Sequence, residues 1–123
     1  MAVAQLEYKP LPLQPGKQIT DTLSTKDIPT GRGGFARDYF VRLKAGDQVA
    51  IELKSSSFDT IVTLLSADGS TVGENDDGPD GTSNSLLFAR ITKSGVYTVR
   101  VHGFGDQPVG GAFTLKVTRL RPE

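Results

Sequence analysis

The chain has no cysteine and no tryptophan, and only one histidine and one methionine. Without cysteine there are no disulfides, no thiolate metal sites and no thiol nucleophiles; the compartment stays open. With one histidine, any serine–histidine–aspartate arrangement must use His102, and no serine sits in a GxSxG elbow. No apolar run approaches the length of a membrane span. The first residues, MAVAQLEYKP, lack a basic-then-apolar signal pattern. No stretch of ten residues shows helical periodicity. Charge of one sign is not in excess, since 14 basic residues balance 14 acidic ones. That balance gives no electrostatic case for nucleic acid or an anionic membrane as partner.

At 123 residues the chain has the length of one compact domain. Residues 1–16 read as an extended tail or linker, because Pro10, Pro12 and Pro15 favour a polyproline-like path. The domain is expected over 17–119, with a short tail over 120–123. Within it the apolar period is two. QVAIELK places Val49, Ile51 and Leu53 on one face; GVYTVRVHG does the same for Tyr97, Val99 and Val101, and GAFTLKVTR for Phe113, Leu115 and Val117. DYFVRL and TIVTLL are richer in β-branched and aromatic residues and are expected to be covered on both faces. Weaker strands are expected at KQITDTL, STVGE and NSLLFARI. Turn signals at KAGD, SADGS, DDGPDG, TKSG and GFGDQPVGG separate these runs. The expectation is an all-β chain, an antiparallel β-sandwich of jelly-roll type with roughly seven to eight strands.

Catalytic signals are weak. His102 lies opposite Val99 and Val101 and reads as an exposed strand residue. The Ser55–Ser57 run reads as strand-end polarity, and Arg37 as a surface group. GRGG at 31–34 lacks the lysine and following helix of a phosphate loop. Acid-pair glycosidase chemistry needs a sugar cleft, for which this chain is a poor host. No catalytic residue is assigned, and the protein is expected not to be an enzyme.

The densest polar feature is GENDDGPDGTSNS, Gly73 to Ser85. Between Ser55 and Ala89 lie six acids (Asp59, Asp68, Glu74, Asp76, Asp77, Asp80) and no base. Asn75, Asp76, Asp77 and Asp80 are candidate calcium ligands, because hard cations take oxygens from carboxylates, amides and carbonyls. It is not an EF-hand: counting from Asp76, Gly78 takes a ligand position and Leu87 replaces the closing glutamate. Asp, Asn and Gly are also turn residues, so a hydrogen-bonded turn stands beside the metal reading, and spacing alone favours the turn.

An ordered set of short motifs runs through the domain. It comprises Asp38-Tyr39, Gly46-Asp47, Phe58-Asp59, Asp68-Gly69, Asn75-Asp76-Asp77, then Gly95 with Tyr97, and Phe113. From about Gln18 to Thr118 the chain resembles the bacterial pre-peptidase C-terminal domain family. The resemblance implies a jelly-roll-like sandwich and a non-catalytic accessory or binding module of an exported protein, secreted, periplasmic or at the cell surface. It implies extracellular protein or polysaccharide as partner, or a part in secretion and stability; the alternative is a calcium-stabilised structural module without a specific ligand. Related collagen-binding domains of clostridial collagenases bind calcium through an acidic lead-in segment. Here that segment, EYKPLPLQPGKQ, carries only Glu7. Asp38 and Asp59 match family positions and are expected to fix the starts of their strands by bonding loop backbone.

Overall fold

A computed structural model describes residues 10–24, 26–29, 34–76, 84–103 and 110–120. Ten strands make up the regular structure: β1 Leu11–Pro12, β2 Ile19–Leu23, β3 Ile28–Pro29, β4 Phe35–Leu43, β5 Gln48–Lys54, β6 Thr60–Leu65, β7 Thr71–Asn75, β8 Ser85–Arg90, β9 Gly95–Gly103 and β10 Gly111–Leu120. Two of them, β1 and β3, are two-residue pairings on β4. The remaining eight fall on the eight segments expected as strands, three of them from alternation.

The strands form two sheets. Sheet A has the order β1-β4-β9-β6-β7, with β3 also on β4; sheet B has the order β2-β10-β5-β8. Every pairing is antiparallel except β1 with β4. The two sheets pack face to face as a β-sandwich.

Alternation sets the core. Tyr39, Val41 and Leu43 of β4, Tyr97, Val99 and Val101 of β9, and Val62 and Leu64 of β6 are buried from sheet A. Leu23, Val49, Ile51, Leu53, Leu87, Phe113, Leu115 and Val117 meet them from sheet B. Phe113 lies at the centre, edge-on to Tyr39 at 6.4 Å between centroids and to Phe58 at 6.3 Å. Such T-shaped contacts set the positive ring edge against a negative face.

The turn between β4 and β5 shows how local chemistry ends a strand. Asp47 N–H donates to the Lys44 carbonyl, and the Asp47 carboxylate takes the Lys44 N–H back. Gly46 sits between them at φ +93°, a conformation that disfavours any side chain.

Burial of both faces holds for the middle of β6, where Thr63 is buried on the outer side. On β4 it holds only for the first half: Ala36 and Asp38 are buried, while Arg42 is exposed. Residues 10–16 lie as an arm across the sandwich edge. Leu13 N–H donates to the Phe40 carbonyl of sheet A, Gly16 N–H to the Val117 carbonyl of sheet B, and the Leu13 side chain enters the core. Pro12 lacks a donor and so suits an edge pairing.

Candidate functional site

The acidic segment begins where β7 ends. Asn75 is the last residue of β7 and Asp76 follows it; Asp77 and Asp80 lie outside the described residues. Ser85 anchors the approach. Its hydroxyl donates to the carbonyls of Thr60 and Asp76, at 2.8 and 3.0 Å, and meets the Thr60 hydroxyl at 2.6 Å between the sheets. The Asn75 side-chain oxygen is buried and has no hydrogen-bond partner among the described residues. A buried amide oxygen without a donor is uncommon and calls for a water or an ion. Among the described residues no cluster of three or more histidine, cysteine or acidic side chains could hold a metal.

A polar row crosses the outer face of sheet A. The register sets Asp38, Arg100, Thr63 and Glu74 side by side on β4, β9, β6 and β7. Arg100 grips Asp38 with Nε and Nη2, at 2.8 and 2.9 Å. The Asp38 side chain is only 3% exposed. Asp38 is therefore an ion-pair partner inside β4, which begins at Phe35, ahead of the expected start at Asp38. The pair follows from register: its neighbour on β9 is an arginine.

His102 also departs from the sequence reading. It is 18% exposed rather than solvated, with Nε2 at 3.0 Å from Thr63 Oγ1 and 3.9 Å from Glu74. Burial pushes its pKa down, and Arg100 adds to this, against the pull of Glu74 and Asp38. The Thr63 hydroxyl donates to Glu74. Its proton thus points to the carboxylate and away from the imidazole, the reverse of what an activated hydroxyl requires.

Arg37 is half-buried on the inner side of β4 and joins the sheets. Its Nε reaches Asp21 of β2 at 3.0 Å and its Nη1 reaches Asp27 at 2.6 Å. Tyr39 donates its hydroxyl to the same Asp21 oxygen at 2.6 Å. Burial and this carboxylate push the Tyr39 phenol well above its usual pKa. Burial of Asp21 opposes, but the donors Tyr39, Thr22 N–H and Arg37 hold its carboxyl below the ordinary range. The serine run is structural as well: Ser55 Oγ donates to the Ala112 carbonyl and accepts from the N–H groups of Ser57 and Phe58.

A groove of about 440 Å³ lies at one end of the sandwich. It opens between the β6–β7 turn and the β8–β9 connection, with Asp68, Val72, Arg90, Lys93, Ser94 and Val96 among its walls. No spacing signal pointed to it, because its walls are drawn from four separate segments.

The fold is a β-sandwich whose described polar networks tie its own segments together. The sequence profile of the bacterial pre-peptidase C-terminal domain matches residues 36–103. The chain belongs to this family, whose members are non-catalytic accessory domains. Among solved structures it is similar to the pre-peptidase C-terminal domain of a collagenase from Bacillus anthracis, with a TM-score of 0.69 and 11% identity over 93% of this chain and 99% of that one. It is also similar to Aeromonas hydrophila PliG, a periplasmic inhibitor of g-type lysozyme, with a TM-score of 0.64 and 15% identity over 91% and 98%. At these identities the likeness is one of fold. A comparison with curated protein sequences finds no match.

Proposed function

We propose that the domain is a non-catalytic binding module of an exported bacterial protein, recognising protein or polysaccharide or aiding the secretion and stability of what it travels with. The observation that carries this reading is the family match over residues 36–103. The two similar structures agree with an exported setting, one being a collagenase domain and the other a periplasmic inhibitor. The polar networks add support, since His102 and Thr63 bond from strand to strand and Ser55 bonds the Ala112 carbonyl and its own loop. The purified domain is tested against arrays of matrix proteins, lysozymes and polysaccharides. Saturable binding to one class supports the reading. Absence of binding throughout, with secretion and stability of an attached protein indifferent to the domain, refutes it.

A second reading is favoured by Asn75, next to Asp76, whose buried side-chain oxygen has no donor among the described residues. In it the segment with Asn75, Asp76, Asp77 and Asp80 takes calcium, and the ion stabilises the sandwich. A ligand that binds only the folded state adds about 2.7 kcal/mol at a hundredfold excess over Kd. Thermal unfolding with calcium, magnesium or chelator tests this, for the parent and for Asp76→Asn/Asp77→Asn. A calcium-specific rise lost in the double variant supports it. A midpoint indifferent to calcium leaves a hydrogen-bonded turn.

A further inference from the structure

We propose that the groove between the β6–β7 turn and the β8–β9 connection binds an extended acidic peptide segment of a partner protein, carboxylates on Arg90 and Lys93 and an aliphatic side chain on Val72 and Val96. This rests on the reading of the domain as a binding module and adds a place and a chemistry to it.

The floor is the first observation. Val72 and Val96 are 40% and 36% exposed and both line this groove, although they belong to the non-adjacent strands β7 and β9. Exposed aliphatic side chains that converge on one concavity are what a partner's side chain displaces water from. A groove of about 440 Å³ is within the size range of ligand sites.

Charge is the second. Arg90 and Lys93 line the groove, are exposed, and make no ion pair among the described residues. They are the first bases after a run from Ser55 to Ala89 that has none. The groove's one acid, Asp68, is already engaged: its Oδ1 accepts the Ser66 hydroxyl and the Ser70 N–H. Asp68 lends Lys93 some field but leaves both cations with donors to offer. Two cations on one groove wall complement two carboxylates of one extended peptide.

The wall chemistry disfavours other anions. Stacking on a nucleobase or sugar needs an open aromatic face. Tyr97 is the only aromatic lining the groove; it is buried, and its hydroxyl is donated to the Lys93 carbonyl. An aliphatic floor beside two exposed cations suits a leucine or isoleucine flanked by aspartates or glutamates.

The test uses the whole chain and a fluorescein-labelled peptide alternating aspartate with leucine, followed by fluorescence polarisation. A peptide with lysine in place of aspartate is the control. The acidic peptide binds saturably and the lysine peptide does not. Two exposed charge pairs at the upper end of their usual strength correspond to roughly thirtyfold in Kd. Arg90→Gln/Lys93→Gln therefore weakens binding by about that factor, while Lys17→Gln/Lys26→Gln, the same charge change elsewhere, does not. Val72→Thr, close in shape, weakens binding while leaving the salt dependence in place. Raising the salt from about 0.01 M to about 1 M, which shortens the screening length from roughly 30 Å to 3 Å, weakens it in the parent. No binding of the acidic peptide, equal binding of the lysine peptide, or indifference to the Arg90/Lys93 double substitution overturns the proposal. If the parent still captures an array partner, and the double variant captures it equally well, the groove falls and the module reading stands. If neither peptide nor array binds, the groove falls, and the module reading falls with it where secretion and stability of an attached protein are also indifferent to the domain.

Discussion

Replacing Tyr39 by phenylalanine isolates one bond between the sheets. The ring keeps its place, since it is buried and meets Phe113 edge-on. Only the hydroxyl is lost, with its 2.6 Å bond to Asp21. A hydrogen bond to a charged group contributes about 1.5–3 kcal/mol. Asp21 keeps Arg37 Nε and the Thr22 N–H, so its charge is not stranded. The cost therefore falls at the lower end, about 1.5 kcal/mol. Asp21→Ala is worse, about 2–3 kcal/mol, because it leaves the Tyr39 hydroxyl buried without its acceptor and takes one carboxylate from Arg37. The two together cost less than the sum, as neighbours in one network do. Urea unfolding measures all three, with the slope of the transition unchanged. The pH profile carries the signature. Asp21 is held below the ordinary carboxyl range, so its contribution is whole above about pH 4 and is lost as the pH falls through its folded pKa. Tyr39 is pushed up, so its contribution is whole below about pH 10 and is lost as the pH rises through its folded value. A Tyr39→Phe variant within about 0.3 kcal/mol of the parent at neutral pH, with additive effects in the double, refutes the bridge as a source of stability.

Three further outcomes are expected. Val99→Ala, at a fully buried site on the central strand β9, costs about 1–3 kcal/mol in the same urea assay. Gly111→Ala destabilises by more than about 1 kcal/mol, because φ there is +147° and a Cβ would lie 2.3 Å from that of Ser57; Gly95→Ala, with open space and no positive φ, stays within about 1 kcal/mol of the parent. His102 has a folded pKa below its unfolded value, so the unfolded chain takes up the proton first; stability falls as the pH drops below about 6.5, and His102→Gln flattens that part of the curve.

Much of the core was open to reading by eye. Val49, Ile51, Leu53, Tyr97, Val99, Val101, Phe113, Leu115 and Val117 are all buried, because a period of two is a local property that the pleat converts directly into a face. What alternation does not reveal is which strand lies opposite. Arg37 follows the inner phase of β4, yet only the placement of β2 across the sandwich gives it Asp21. His102 follows the outer phase of β9, where exposure is the ordinary expectation; Thr63 and Glu74 reach it from β6 and β7 through a register set elsewhere. The acidic segment was conspicuous in the sequence, but Asp77 and Asp80 lie outside the described residues. The groove was invisible for the opposite reason. Val72 and Val96 are unremarkable strand residues until the β6–β7 hairpin turn and the β8–β9 crossover between the sheets bring them to one end.

The order of strands in sheet B also bears on when the domain can form. The last strand, β10, lies between β2 and β5, and β2 has no other neighbour in its sheet. Thr20 must wait for Thr114. Synthesis proceeds at about 5–20 residues per second, and sandwiches with such distant pairings fold in about milliseconds to seconds. A nascent chain that has emerged only as far as residue 110 holds β2 without its partner. β2 thus cannot be paired until β10 has emerged, and whatever handles the growing chain before then meets β2 with its pairing edges uncovered.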